Sequence, residues 1–337
     1  MKTSRPHREE DGAARKAQKA SVLTLLRAIL SPESPATGLA QDTYLMHDIG
    51  ELVVDPPQIV VMSDYAYAVF DTLRCEWSDA VGISHGTYPD ARLVSVGATD
   101  NRVFRVSRFG NIHELQLIAD GSVTSTAYMQ CGGPAYHAGL PGGRVVSVVG
   151  CGGNVCRATV YDTATERGRS LVQRTEPCEG DTVETVIADE RAVYVFSGNP
   201  HGGHVNFVAI DLASGAIKEL APRPRPIFRS AVVIAGQKIW FLGGEHRGVR
   251  VRAIAAYDIA RDAWSVCSGG LKQPRSGASA VAIAGNIWIV GGTVDHGRVG
   301  LKFAGTIEMY DPKTGRCTEM AGVPDQLGDT FCAAVAI

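Results

Sequence analysis

The chain has 337 residues, with 33 basic against 35 acidic side chains and a formal net charge of −2. That balance excludes a basic footprint for nucleic acid at whole-chain level, while 45% hydrophobic residues supply a full core for one or two domains. No apolar run reaches the about 20 residues of a membrane helix, and 38 glycines suit many short strands joined by tight turns.

Residues 1–50 read as an N-terminal extension. Met1 to Lys19 is charged and lacks apolar periodicity, so it is expected to be disordered. The acidic trio Glu9, Glu10 and Asp11 argues against a mitochondrial presequence, and Val22 to Leu30 is too deep, and interrupted by Arg27, for an export signal. A cytoplasmic chain with reduced cysteines is therefore expected, without a disulfide framework: eight cysteines are present and no Cys-x-x-Cys pair occurs. Ala20 to Leu30 has helical spacing through Leu23, Leu26 and Leu30, and Ser31-Pro-Glu-Ser-Pro35 stops it.

From residue 51 to 337 one unit recurs. A four-residue apolar strand ends at a small-residue doublet: Ser63-Asp64, Gly97-Ala98, Gly150-Cys151, Ser197-Gly198, Gly243-Gly244 and Gly291-Gly292. An aromatic-Asp or Ile-Asp pair follows in most units: Phe70-Asp71, Tyr161-Asp162, Ile210-Asp211, Tyr257-Asp258 and Tyr310-Asp311. Seven residues beyond Phe70 and Tyr257 stand Trp77 and Trp264; the same place after Tyr310 holds Cys317. A period near 47 residues with four short strands per unit fits the blade of a β-propeller. The unit around Phe109-Gly110 blurs the pattern. The strand preceding each doublet, such as Ile239-Trp-Phe-Leu242, is apolar throughout, as expected for a strand covered on both faces. The final stretch, Thr330 to Ile337, copies Ser276 to Ile283, the first strand of the preceding unit. It is expected to pair with Ile59-Val-Val-Met62 and close the ring, which removes open edges; the competing reading makes Glu51-Leu-Val-Val54 the first strand of that blade.

With Gly243, Gly244, Tyr257, Trp264, Gly291, Gly292 and Tyr310 as its repeat residues, this unit resembles the kelch repeat. The resemblance implies an all-β, six-bladed kelch-type propeller behind a short, partly helical or disordered extension. The string Leu25-Leu-Arg-Ala-Ile-Leu-Ser-Pro-Glu33 is similar to the end of the helical domain that precedes the propeller in BTB–BACK–kelch ubiquitin-ligase adaptors. The resemblance therefore implies a relative of those adaptors that lacks BTB, related to substrate recognition for ubiquitin ligases.

Chemistry-bearing patterns are sparse. His201-Gly-Gly-His204 offers two imidazoles, with His246 and His296 in the equivalent loops of the next two units, but zinc needs three or four ligands held by further partners. No metal site, cofactor or catalytic residue is expected, and the Gly-Gly doublets lead to strands rather than to a helix N-terminus that would cradle phosphate. The alternative that the resemblance leaves open is a kelch-fold enzyme acting on a sugar, mutarotase- or oxidase-like. The expected function is protein binding. In an up-and-down blade the loops from second to third strand, and from one blade to the next, emerge on one face. Those loops carry Arg223, Arg225, Arg229, Arg247, Arg250, Arg275, Ser276 and Arg298. Arginine forks match carboxylates, so the expected partner is a protein presenting an acidic segment, with no nucleic acid and no membrane.

Overall fold

In the computed structural model, residues 58–336 are described except 63–65, 83–91, 96–102, 107–110, 118–122, 131–135, 152–153, 166, 174–181, 200–203, 296–300 and 328–332. The expected helix and the BACK-like string of residues 25–33 lie outside the described residues. The chain divides into two units between Pro57 and Gln58, and all the described residues belong to the second.

Its strands form consecutive antiparallel sheets. The first holds β1 (Gln58–Met62), β2 (Ala66–Asp71), β3 (Glu76–Trp77) and β4 (Val81–Gly82). Then come β5 (Arg92–Ser95), β6 (Val103–Val106), β7 (Asn111–Leu117) and β8 (Val123–Gln130), followed by β9 (Tyr136–Leu140), β10 (Arg144–Cys151), β11 (Asn154–Asp162) and β12 (Arg167–Gln173). The next sheet is β13 (Thr182–Ala188), β14 (Ala192–Asn199), β15 (His204–Asp211) and β16 (Ile217–Glu219). The fifth is β17 (Ala231–Ala235), β18 (Lys238–Leu242), β21 (Ala253–Asp258) and β22 (Ala263–Gly270), with the separate hairpin β19 (Glu245–His246) and β20 (Val249–Arg250) inserted. The last repeats that plan: β23 (Ser279–Ile283), β24 (Asn286–Val290), β27 (Thr306–Asp311) and β28 (Arg316–Gly322), with the inserted hairpin β25 (Thr293–Asp295) and β26 (Leu301–Phe303). Finally β29 (Ala333–Ala336) pairs antiparallel with β1, Ile59 facing Ala336 and Met62 facing Ala333.

The fold is an all-β propeller. The innermost strands touch in the cyclic order β29, β5, β9, β13, β17, β23 and back to β29. The expectation of six four-stranded blades is corrected: five blades have four strands, and the sheet that joins the ends has five, in the order β29-β1-β2-β3 with β4 also on β2. The reason is local. Where an outer strand would run on from β3, Ser78 turns its hydroxyl back to accept the Val69 N–H at 3.0 Å. The ladder breaks there and resumes as β4 opposite Ala66 and Tyr67.

The spacing of seven residues is a cross-strand pair. Tyr257 lies opposite Trp264, Phe70 opposite Trp77, and Tyr310 opposite Cys317; the two ring pairs have centroids 5.3 and 5.0 Å apart. The Asp of each aromatic-Asp or Ile-Asp pair organises the turn between those strands. Asp162 Oδ1 accepts the N–H groups of Ala164 and Thr165, and Asp211 Oδ1 those of Ala213 and Ser214. Asp258 accepts from Arg261 N–H, and Asp311 from Lys313 N–H. Hydrogen bonding to the charged form holds these four carboxyls below the usual carboxylate range.

The same rings fill the wedges between blades. Phe196, Phe207, Phe241, Tyr257 and Trp264 pack together, with Phe196 stacked on Phe207 at 3.9 Å and edge-on to Phe241 at 4.5 Å. Trp240 meets Tyr310 at 5.6 Å, and Trp288 meets Phe70 at 5.7 Å. Trp264 Nε1 donates to Ala221 O at 2.7 Å and Tyr257 OH to Asp262 Oδ1 at 2.6 Å, while Asp262 also accepts the Ala221 N–H. The polar edges of Trp264 and Tyr257 are thus satisfied at the junction with the preceding blade. The glycine doublets sit where the blade-to-blade loops cross the strand end. Gly244 has φ +110°, and a Cβ there would fall 2.6 Å from Phe228 O and Ile227 Cγ2.

Candidate functional site

Both inserted hairpins stand at the end of their blade that also carries the blade-to-blade loops, and backbone bonds lock the two kinds of loop together. Phe228 and Glu245 exchange N–H···O bonds of 2.9 and 2.7 Å, and Ser276 and Thr293 exchange bonds of 3.0 and 2.8 Å. His246 Nδ1 lies 2.8 Å from Pro226 O. Gly277 N–H donates to Arg229 O at 2.7 Å, which joins one blade-to-blade loop to the next. The β19–β20 turn is two residues long, with Arg247 at φ +51° and Gly248 at φ +78°, a type I′ turn that matches the strand twist.

The predicted arginines separate into two groups on this scaffold. Arg225, Arg229 and Arg247 are exposed. Arg229 holds φ +53°, and its N–H donates to the Glu184 carboxylate of β13. Arg223, Arg250 and Arg275, expected to meet a partner from those loops, are buried instead, and Ser276 is buried with them at 2% exposure. Arg298 lies outside the described residues, as do His201 and His296.

Each buried arginine is engaged inside the protein. The Arg223 guanidinium lies 4.6 Å above the Phe241 ring and donates to Ile227 O at 2.6 Å and Ser230 Oγ at 3.2 Å. Burial lowers its pKa to about 10, partly offset by the charge of Glu184. Arg250 reaches across to the next hairpin, with Nη1 2.6 Å from Asp295 Oδ1 and Nε 3.2 Å from Thr293 Oγ1. Arg275 is fully buried. It donates to Gly291 O at 3.1 Å, Thr306 O at 3.0 Å and Thr306 Oγ1 at 3.2 Å, and it pairs with Glu308 Oε1 at 2.6 Å. Glu308 also accepts the N–H groups of Lys272 and Gln273 at 2.7 and 3.1 Å and the Cys317 thiol at 3.1 Å. Burial first, and then this carboxylate, push the Cys317 thiol up to about 12.

Glu308, Asp295 and Glu184 were missed as partners of the arginines. For Glu308 a signal exists: strand Thr306-Ile-Glu-Met-Tyr-Asp311 repeats Ala253-Ile-Ala-Ala-Tyr-Asp258, and the acid stands where the earlier blade has Ala255. A charge in an otherwise apolar, doubly covered strand demands a counter-charge. The matching bridges at Phe228 and Ser276 place Arg275 at the position of Ile227, so an apolar position of one blade is taken by a cation in the next.

Elsewhere, Cys75, Cys267 and Cys317 are free thiols. Among the described residues no group of three or more His, Cys, Asp or Glu gathers to hold a metal, and no helix is long and apolar enough to cross a membrane. A groove of about 430 Å³ between β22 and β28 is lined by Gly269, Lys272, Arg316 and Glu319 among others.

The Kelch motif matches residues 274–324, the segment that runs from the Arg275 loop through β23, β24 and β27 to the end of β28. The chain is a β-propeller that carries a kelch motif. Two solved structures share the propeller fold. The structure of YjhT aligns with a TM-score of 0.55 at 15% identity, over 70% of this chain and 85% of that one. A chain of the nidogen/laminin complex aligns with a TM-score of 0.56 at 9% identity, over 82% of this chain and 98% of that one. At such identities the likeness concerns the fold alone.

Proposed function

We propose that the propeller is a protein-recognition module whose binding face is the loop surface around the β19–β20 hairpin, and that it takes an acidic segment of its partner. The observation that carries this reading is the set Arg225, Arg229 and Arg247: three exposed guanidinium groups on two loops fixed to each other by the Phe228–Glu245 exchange and the His246–Pro226 contact. Loops held in this way lose little freedom on binding, so the arginines are preorganised for carboxylates. Free thiols at Cys75, Cys267 and Cys317 support the intracellular setting that belongs to this reading.

The test replaces Arg225→Ala, Arg229→Gly and Arg247→Asn together. Single exposed ion pairs are worth about 0–1 kcal/mol, so one change alone reads weakly. Gly and Asn suit the positive φ at Arg229 and Arg247, so stability is expected to hold or rise slightly. The control triple, Arg74→Ala, Arg261→Ala and Lys313→Ala, lies on turns at the other end of the blades. Proteins captured by the parent and identified by mass spectrometry are expected to be lost from the first variant, retained by the control, and weakened in high salt. Equal retention by both variants refutes the choice of face.

A further inference from the structure

The binding face carries an apolar element beside its charges. Among the described residues three large hydrophobic side chains are strongly exposed: Leu73, Val249 and Val266. Leu73 lies on the turn between β2 and β3, at the opposite end of its blade, and Val266 lies in the middle of the outer strand β22. Val249 alone belongs to the loop face, and at 61% exposure it stands two residues from Arg247.

Its outward position is built in. Successive residues of a strand point to opposite sides. On β20 the next residue, Arg250, turns inward and is held by Asp295 and Thr293 of the neighbouring hairpin. Val249 is therefore driven outward. Its cross-strand partner His246 is held by the contact of its Nδ1 with Pro226 O. The tip cannot rotate to hide the side chain without breaking both attachments. A lone exposed valine on a mobile loop is ordinary surface, whereas one presented rigidly among exposed arginines has the make-up of an interface anchor with a charged rim.

We infer that Val249 is the apolar anchor of the face, and that the partner segment carries an apolar side chain flanked by carboxylates. This rests on the proposed recognition role. The apolar side chain seats against Val249 at the hairpin tip, while the flanking carboxylates meet Arg247, Arg225 and Arg229. Desolvation around the valine strengthens those ion pairs, because charges interact more strongly where water is excluded.

The test pans a random twelve-residue peptide library displayed on phage over the full chain, then measures the most enriched peptide by fluorescence anisotropy. Enriched sequences are expected to hold one large apolar residue among acidic ones. Val249→Ser is expected to weaken that peptide about tenfold, from the burial of one valine side chain, with an unchanged urea midpoint, and to remove the apolar preference in a repeat selection while the acidic preference persists. Acidic peptides with no apolar position, or binding to Val249→Ser within twofold of the parent, overturn the anchor and leave the arginine face standing. Enriched peptides without acidic residues, or no enrichment, overturn both.

Discussion

Replacing Arg275 tests whether the loop arginines are a surface or a frame. An exposed arginine at this position would change stability by less than about 0.5 kcal/mol. In the structure the guanidinium has 0% exposure and makes four hydrogen bonds, one of them to a carboxylate that is itself at 0%. Arg275→Met removes the cation, leaves the three oxygens of Gly291 and Thr306 short of a donor, and strands the Glu308 charge with the donors of Lys272, Gln273 and Cys317 alone. Breaking a buried pair from one side costs about 3–5 kcal/mol. Adding Glu308→Gln removes the stranded charge and keeps one acceptor oxygen, for either the Lys272 or the Gln273 N–H group. The double variant is therefore expected to be more stable than Arg275→Met alone, by about 1–3 kcal/mol. Urea unfolding of the parent, both single variants and the double variant, followed by tryptophan fluorescence, supplies the cycle. A cost below about 1 kcal/mol for Arg275→Met, or strict additivity in the double variant, refutes the buried clamp and returns Arg275 to the surface.

Two further outcomes follow from the same chemistry. Deleting residues 333–337 removes the strand that pairs with the inner edge of β1 and exposes its N–H and C=O groups, so the urea midpoint is expected to fall sharply; an unchanged midpoint refutes closure by β29. Alkaline pH is expected to destabilise the fold: Cys317 is raised to about 12, and Tyr194, Tyr257 and Tyr310 are raised above their ordinary value, chiefly by burial. Their contribution is complete below the unfolded thiol value near 9 and is lost as pH rises toward the folded values. The urea midpoint should decline between pH 9 and 11, less steeply in Cys317→Ala; a flat profile contradicts the burial of these groups.

The blade was legible because its signals are local. Seven residues between Tyr257 and Trp264 is the register of one hairpin, and Asp258 sits where that hairpin needs an acceptor for its turn. The copy of one strand in Thr330 to Ile337 was likewise visible as text. The fate of each arginine was not, because nothing along the chain tells which way a loop side chain turns. Arg225 and Arg223 are two residues apart in one Pro-rich loop, yet one is in solvent and the other lies over Phe241. That choice is made by residues far off in sequence, a ring on β18 for Arg223 and an acid on β27 for Arg275. Glu308 was the readable exception, a charge inside an apolar strand. The fifth strand of the sheet at the ends escaped notice because it arises from one serine hydroxyl standing in for a ladder bond.

The pairing of β1 with β29 also sets an order of events during synthesis. The sheet whose β1 leaves the ribosome before any other blade strand is the one that cannot be finished until residue 336 has been made, so the earliest sheet begun is the last completed. Until then β1 carries an unpaired edge of isoleucine, valines and methionine, a segment prone to pair with any free strand. A translational stall or premature stop within the later blades thus yields an open ring with that edge available, a species that chaperones and proteases can tell apart from the closed form by the same edge.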